Sequence, residues 1–256
     1  MKKNFFKANF ALFVLVLIAL ASCTEKKALH GFIVPKDEPA QSLTIGWYVP
    51  VNLLKKIVGP HFEPAVIKDD TIGTITIFIV SGKGHSVDSL ECGDLKAAHL
   101  VIPVKKPNDM HFAEANSITG SIVCPISIVD ESPVLGNKFY DFGFPTYTGQ
   151  VNLDVTFSEE KYHVKASIET ANGKIEINAF FDEQPTESDM VSAIFNPKAD
   201  VYSFMYGKEH VNKIINGKGV LKTDGENMVN AMNLSGQPYY LTLGLDMYWD
   251  FDFIKE

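Results

Sequence analysis

The chain has 256 residues, a formal net charge of −8 at pH 7 and three cysteines. Its length suits one large domain, and its acidic balance argues against nucleic-acid binding, because phosphate contacts need clustered Lys and Arg. The seven histidines contain no H-E-x-x-H pair, and no cysteine has a second ligand at metal-binding spacing. The sequence therefore predicts no metal site and no cofactor.

The first 22 residues form a segment that is typical of export rather than of a fold. A basic start precedes an apolar run over 10–21, which is too short to span a bilayer comfortably. Leu20-Ala21-Ser22-Cys23 then resembles a bacterial lipobox. We expect residues 1–22 to be a signal peptide and the Cys23 thiol to carry diacylglycerol. An ordinary signal peptide with a chance Cys, or an uncleaved anchor, stays open as an alternative.

Cleavage before Cys23 removes three lysines and no acids, so the charge of the mature chain becomes −11. Residues 23–42 are predicted to be a lipidated tether, and residues 43–256 the folded domain. The lipid would hold the protein at a membrane surface of the bacterial cell envelope. Thr24, which follows Cys23, favours the periplasmic or surface side of the outer membrane if the cell is Gram-negative. Homo-oligomerisation stays open.

Two thiols remain beside the lipidated one, those of Cys92 and Cys124. In an oxidising envelope compartment they could pair as a disulfide. Two separate, buried thiols are the alternative.

The first half of the domain favours short strands joined by polar loops. Strands are predicted at 43–49, 71–81, 97–104 and 120–129, with a short helix at 50–58 and a Gly-rich loop at 82–93. Pro50 suits the first turn of the helix and Gly59 its end. Pro125 should lie at an edge or a bulge, because proline cannot donate to a sheet ladder.

The second half contains the clearest pattern. Between 151 and 181 apolar and polar residues alternate in three runs, and Asn172-Gly173 marks a tight hairpin. This pattern predicts a three-stranded antiparallel meander. One helical turn is expected at 188–194, and strands at 200–206, 219–222 and 239–253. The fold class is therefore mainly β, a closed or nearly closed antiparallel barrel with one or two short helices.

The order of these elements resembles the acetoacetate decarboxylase-like superfamily. The likeness covers most of residues 43–256. It rests on the first strand and its proline-marked exit, an aspartate-proline step, a Gly-aromatic-Pro turn and the closing strand. The residues are Ile45-Gly46-Trp47-Tyr48-Val49-Pro50, Asp130-Glu131-Ser132-Pro133, Gly143-Phe144-Pro145 and Tyr248-Trp249-Asp250-Phe251. The resemblance implies a cone-shaped β-barrel with a central, mostly apolar cavity.

The same resemblance implies that the usual catalytic residues are absent. The decarboxylases carry a Lys pair just before the Gly-aromatic-Pro turn, and one Lys forms a Schiff base. Here those positions are Tyr140 and Asp141, and the family's active-site Arg falls at Tyr48. Lys138 lies two residues away, roughly 7 Å along a strand, so it is not a simple replacement. It is a weak nucleophile candidate, and a solvated surface lysine is the alternative.

Other residues are candidates for contact with a ligand. Tyr140 and Asp141 could act as proton donor and acceptor, although adjacent strand residues face opposite sides and only one would point inward. For the same reason we expect one of Trp47 and Tyr48 to line the cavity. The resemblance also places a polar lid near Glu91. The Gly-aromatic-Pro turn adds Phe144.

Three functions follow as hypotheses. The first is a membrane-anchored lipoprotein whose barrel binds a small, mainly apolar organic molecule without covalent chemistry. The second is a lyase, aldolase or hydratase-type enzyme of the same superfamily that acts on a carbonyl or keto-acid compound. The third is a structural or assembly lipoprotein.

Overall fold

The computed structural model describes residues 29–67, 70–86, 91–107, 117–130, 144–196, 203–236 and 239–255. Thirteen strands and two short helices lie in these ranges. The strands are β1 (Leu29–Val34), β2 (Ala40–Pro50), β3 (Ile72–Ser86), β4 (Glu91–Pro103), β5 (Gly120–Val129), β6 (Thr146–Thr148), β7 (Gln150–Ser158), β8 (Lys161–Glu169), β9 (Gly173–Phe181), β10 (Thr186–Phe195), β11 (Ser203–Ile214), β12 (Lys218–Gly225) and β13 (Tyr239–Lys255). The helices are α1 (Val51–Val58) and α2 (Met228–Ala231). No helix within the described ranges is long and apolar enough to cross a membrane.

Seven of the described strands close into a barrel, which confirms the predicted fold class. They pair in the order β2-β3-β4-β5-β10-β11-β13, and β13 pairs back to β2. Every neighbour in this ring is antiparallel except β5 and β10, which run parallel over Gly120–Val123 and Ser192–Phe195. β1 extends one end of the barrel by pairing with β13 and β3.

The predicted meander forms a second sheet outside the barrel. β7, β8 and β9 pair in sequence and β12 adds at the β9 edge. The alternation buries one face of this sheet, with Val164, Ile175 and Ile177 at 1% exposure each. These side chains share one hydrophobic cluster with residues of the barrel strands, so the meander covers one side of the barrel.

The alternating positions of the barrel strands divide into an outer and an inner set. Leu43, Ile45 and Trp47 are fully buried in the cluster that contains the meander, so they point outward beneath it. Beyond the meander the same outer face carries exposed charges, which are Lys83, Asp94, Lys208 and Asp250. At that end of the barrel, the residues that alternate with these charges on the same strands are buried and apolar; they include Val80, Ala97, Trp249 and Phe251. This alternate set of residues therefore faces the barrel interior.

Several local predictions differ from the structure. Residues 188–194 belong to β10 and not to a helical turn, because Met190, Ser192 and Ile194 alternate with residues of the other face while β10 pairs on both sides. The predicted loop at 82–93 is largely strand, since β3 continues to Ser86 and β4 begins at Glu91. β1 lies within the predicted tether, so the sheet begins at Leu29. A bulge does occur opposite Pro125, where the register shifts between Leu100 and Ile102.

Candidate functional site

Solvent reaches the side chains that face the barrel interior in its middle part. Phe78, His99, Val101, Ile194 and Glu209 face inward, yet each is only partly buried. The outward neighbours of Phe78, His99 and Ile194 on the same strands, by contrast, are 0% exposed. Below them, one end of the barrel is closed by an apolar cluster, which we call the base; it contains Val80, Leu95, Ala97, Val129, Phe144, Met205, Met247, Trp249 and Phe251. The interior therefore forms a cup with an apolar floor.

The strands are strongly staggered, which widens this cup. From Val101 the pairing runs through β3 and β2 and reaches Tyr240 on β13. From Pro103, two residues further along β4, the pairing can be followed in the opposite direction around the barrel. It runs through β5, β10 and β11 and reaches Phe253 on β13. The two paths end thirteen residues apart on one strand. Stagger, tilt and diameter are linked in a closed barrel, so seven steeply tilted strands enclose a roomy interior.

A polar cluster on β4 and β5 lines one wall. The Nδ1 atom of His99 lies 2.9 Å from the Ser127 hydroxyl and 4.0 Å from the Cys124 sulfur. The Cys124 sulfur lies 3.3 Å from the Ser127 hydroxyl and donates to the carbonyl of Ile126 at 3.6 Å. The His99 ring stacks on Phe78 with centroids 6.4 Å apart.

Burial keeps both reactive groups of this cluster neutral. Desolvation lowers the pKa of His99 to about 4. Desolvation also raises the pKa of Cys124 to about 11, against the smaller opposing effects of its hydrogen bonds with Ser127 and Ile126. A neutral thiol beside a neutral imidazole is not the thiolate–imidazolium pair of an activated cysteine. The cluster can accept and donate hydrogen bonds, but Cys124 is not poised as a nucleophile.

The opposite wall carries a partly buried carboxyl group. Glu209 lies on β11, and burial raises its pKa above the ordinary carboxyl value; the charge of Lys213 and a hydrogen bond with Ser192 oppose this shift. Ser192 is 6% exposed on β10. Lys213 lies four residues along the same strand, and its Nζ donates to the Ser188 hydroxyl at 3.3 Å. The interior thus brings a carboxyl group with a raised pKa and the amine of Lys213 onto one strand.

Two tyrosines line the end of the barrel opposite the base. Tyr48 is 48% exposed, and its ring lies 5.3 Å from that of Tyr240 at 38°. Burial, and secondly the neighbouring Tyr48, raise the pKa of Tyr240, while a hydrogen bond with Thr74 opposes the shift. Gly46 leaves room for the Tyr240 ring, since a Cβ at this position would overlap it. The mouth of the cup is therefore aromatic.

Trp47 and Tyr48, one of which was expected to line the cavity, lie on opposite faces of β2. Tyr48 faces the interior at the mouth, whereas Trp47 is fully buried on the outer face, with its ring 6.5 Å from that of Tyr239. Phe144 is 1% exposed and belongs to the base of the interior. Cys23, Lys138, Tyr140 and Asp141 lie outside the described residues, as does the side chain of Glu91.

Cys124 does not form the disulfide that the sequence left open. Cys124 is a buried free thiol. The register sets Ala97 opposite Val129, which places Cys92 about ten residues, or roughly 30 Å, along the ladder from Cys124. A disulfide needs Cα atoms within about 7 Å of each other.

Sequence reasoning missed most of the polar groups that face the interior, including Ser192, Glu209 and Lys213. The predicted strand ended at 206, so Glu209 and Lys213 fell outside any element, and a helical turn was expected around Ser192. The apolar alternation on either side of Glu209 was the available signal. His99 lies in the predicted strand at 97–104, but its partners Cys124 and Ser127 are 25 and 28 residues away in sequence.

The comparisons with known proteins agree with this architecture. No protein-family model and no curated protein matches the chain. Among solved structures, the enduracididine biosynthesis enzyme MppR, complexed with the condensation product of pyruvate and imidazole 4-carboxaldehyde, matches 90% of this chain and 92% of its own at 10% identity and a TM-score of 0.55. An acetoacetate decarboxylase-like enzyme from Sphingomonas wittichii RW1 matches 87% of this chain and 94% of its own at 10% identity and a TM-score of 0.53. Acetoacetate decarboxylase from Legionella pneumophila matches 87% and 86% of the two chains, also at 10% identity and a TM-score of 0.53. The chain therefore has the fold of the acetoacetate decarboxylase-like proteins.

Proposed function

We propose that the protein is an enzyme that binds a small keto acid in the barrel interior and moves a proton on the carbon next to the carbonyl, in an aldol, hydratase or lyase-type reaction. The observation that carries the proposal is Glu209, a carboxyl group with a raised pKa on the inner wall above the apolar base. The protein shares its fold with acetoacetate decarboxylase-like enzymes and with an enzyme in complex with a condensation product of pyruvate. Both points support an enzyme over a passive container.

The proposed chemistry uses Glu209 as a proton shuttle. In its carboxylate form Glu209 removes a proton from the carbon beside the carbonyl, which leaves an enolate. A carboxylate with a raised pKa is a stronger base than an ordinary one, and the carboxylic acid that it forms can return the proton. In an aldol step the enolate carbon forms a bond to an aldehyde carbon, and the protonated Glu209 returns its proton to the aldehyde oxygen.

The other interior groups would bind and orient the substrate. The charge of Lys213 attracts the carboxylate of a keto acid, and the neutral His99 offers a hydrogen bond without competing for the proton. Ser192 holds the Glu209 carboxyl group through its hydrogen bond. None of these roles needs an imine, which agrees with Tyr140 and Asp141 at the positions where the resemblance would place the lysine pair.

Deuterium exchange tests the proposal directly. The full chain is incubated with pyruvate and other keto acids in D₂O, and loss of the proton beside the carbonyl is followed by NMR. We expect catalysed exchange that falls at least about 100-fold in Glu209→Gln. Glu176→Gln, at an exposed position on the meander, is the matched control and should exchange like the wild type. Absence of wild-type exchange with every keto acid tested, or full exchange in Glu209→Gln, would reject the proposal.

Non-covalent storage or transport of a small apolar molecule is the second candidate. The apolar base of the interior favours it, because a ligand could be held there by burial alone. Mass spectrometry of the native protein should then reveal a co-purifying molecule, and the wild type should show no deuterium exchange. A cup that stays empty and gives no thermal shift with any metabolite tested would count against this reading and leave a structural or assembly role.

We further propose that the protein is tethered to a bacterial envelope membrane through a lipid on Cys23. The lipobox-like Leu20-Ala21-Ser22-Cys23 supports this location. Cells fed a labelled fatty acid should label the wild type and not Cys23→Ser, which should also leave the membrane fraction. Equal labelling of both proteins would refute the anchor.

A further inference from the structure

Two carboxylate side chains and one imidazole, all of them groups that bind metal ions, lie close together on the outer face of the barrel. Glu187 and Asp189 lie on β10, and His210 lies on β11; we call them the outer triad. The Nδ1 atom of His210 is 2.7 Å from Oδ1 of Asp189 and 3.8 Å from Oε1 of Glu187. One ligand atom from each residue lies within 4.8 Å of the other two. Ligand atoms around a single tetrahedral ion at bond lengths near 2 Å lie about 3.3 Å apart, so the His210–Asp189 pair would open slightly and the exposed Glu187 side chain would move in when an ion binds.

Strand geometry produces this arrangement. Asp189 and His210 are directly paired across the β10–β11 ladder, and Glu187 lies two residues before Asp189 on the same face. The His210 ring is stacked on Tyr248 with centroids 4.7 Å apart and planes at 21°, which fixes its orientation. The backbone ladder and the stacking therefore place the imidazole and at least one carboxylate before any ion arrives.

The electrostatics of the outer triad favour a cation. The side chains of Glu187 and Asp189 are 73% and 78% exposed, so an ion from solvent reaches them, while that of His210 is 14% exposed. Among the ion pairs that the described residues form, the two carboxylates share His210 as their partner. The two carboxylates place two negative charges side by side on one face of β10. A divalent cation would balance both charges.

We propose that the outer triad binds a divalent transition-metal ion such as Zn²⁺. His210 contributes Nδ1 and the two carboxylates contribute one oxygen each, which leaves at least one position for water. The ion takes the place of the proton between Nδ1 of His210 and Oδ1 of Asp189. An imidazole with two carboxylates suits Zn²⁺ and its neighbours in the first transition row better than Mg²⁺ or Ca²⁺, which prefer oxygen ligands alone.

The site is separate from the proposed catalytic interior and does not depend on it. Asp189 and His210 alternate with Met190 and Glu209, which face inward from the same two strands. A bound ion would join β10 to β11 from outside, next to the bulge between His210 and Asn212. Its expected effect is on stability, because an ion that binds the folded chain alone shifts the unfolding equilibrium.

Calorimetric titration tests the proposal. The full chain is dialysed against EDTA and titrated with ZnCl₂ alone, and circular dichroism checks that each variant is folded. The wild type should bind one Zn²⁺ through this site, and His210→Gln, Asp189→Asn and Glu187→Gln should each weaken that binding at least about tenfold. The exposure of Glu187 makes Glu187→Gln safe for folding even if a change at His210 is not.

Two controls separate this site from adventitious binding. His163→Gln and Asp154→Asn change one exposed imidazole and one exposed carboxylate on the meander, and should bind Zn²⁺ like the wild type. Zn²⁺ should raise the unfolding temperature of the wild type more than that of Asp189→Asn. Unchanged affinity in all three triad variants, or no uptake by the wild type at millimolar Zn²⁺, would overturn the proposal.

Discussion

His99 and Glu209 both face the barrel interior, and burial shifts their pKa values in opposite directions. A buried base loses its proton more easily, whereas a buried acid keeps it, because desolvation disfavours whichever form is charged. Both shifts remove charge from the cup. They also make the stability of the fold depend on pH in two distinguishable ways.

His99 should make the protein less stable in acid. Its pKa falls from 6.5 to about 4 on folding, so the unfolded chain binds more protons between these values. The stability that neutral His99 contributes is complete above pH 6.5 and is lost as the pH falls toward 4. The shift corresponds to roughly 3 kcal/mol. Urea unfolding of His99→Gln should show a correspondingly smaller loss between pH 7 and pH 4, and parallel profiles for variant and wild type would contradict the assignment.

Glu209 should act in the opposite direction. Its folded pKa lies above the ordinary value of 4.5, so its contribution to stability is complete below pH 4.5 and is lost as the pH rises through the raised value. Glu209→Gln cannot ionise, and it should gain stability relative to the wild type as the pH increases. Denaturant midpoints at pH 4, 6 and 8 measure this. A constant difference across the series would mean that the carboxyl group is not buried.

Individual strands in the barrel depend on glycines where two backbones approach closely. At Gly207 on β11 an added Cβ would overlap the carbonyl oxygen of Asp250 and the Cα of Phe251 on β13. At Gly120 on β5 the nearest atoms to an added Cβ are the Ser192 hydroxyl at 3.6 Å and the Met190 sulfur at 3.9 Å. The first position has no space for a side chain, whereas the second makes ordinary contacts.

Gly207→Ala should therefore destabilise the fold far more than Gly120→Ala. Separation of β11 from β13 to admit the methyl group should cost about 1–3 kcal/mol, the range for overpacked sites. Gly120→Ala should change the free energy of unfolding by less than about 0.5 kcal/mol. Urea denaturation of both variants measures the difference. Equal effects of the two substitutions on the free energy of unfolding would show that β11 and β13 can move apart at little cost.

At the scale of the molecule, the meander stabilises the barrel by covering its outer face. Ile177 on β9 is 1% exposed between the two sheets, whereas Val220 on β12 is 57% exposed. Ile177→Ala should cost about 2–5 kcal/mol, because it leaves a cavity between sheet and barrel. Val220→Ala should stay within about 0.5 kcal/mol. Thermal unfolding of both variants would test this, and a mild effect of Ile177→Ala would mean that the sheets are loosely packed.

The sequence predicts the fold well where one face of a strand is wet. β7, β8 and β9 each have one solvated face, so their alternation is visible and the meander is predicted with nearly correct bounds. β10 was mistaken for a helical turn because both of its faces carry apolar residues toward its end, and no period of two appears. Pairing with β5 and β11 decides its conformation, and these partners are distant in sequence.

The site was harder to predict than the fold for a related reason. His99 and Ser127 lie on different strands, as do Glu209 and Ser192, and so do Asp189 and His210. No local spacing links such residues, since their separation is set by the lengths of intervening loops. Single positions such as Tyr48 could be proposed from the first strand alone. Whether Trp47 or Tyr48 faces inward depends on the face of β2 against which the meander packs, and that face cannot be identified from the sequence of the strand.

The parallel pairing of β5 with β10 follows from parity. A ring built only of antiparallel neighbours must have an even number of strands, and this ring has seven among the described residues. One junction must break the alternation, and here it spans only four residue pairs. The chain between β5 and β10 must also return to the starting end before β10 begins, and the meander is built from that return path. The barrel's odd count thus accounts for its one parallel junction, which is also the shortest ladder of the ring, so amide hydrogens along this seam should exchange with solvent sooner than those between β3 and β4.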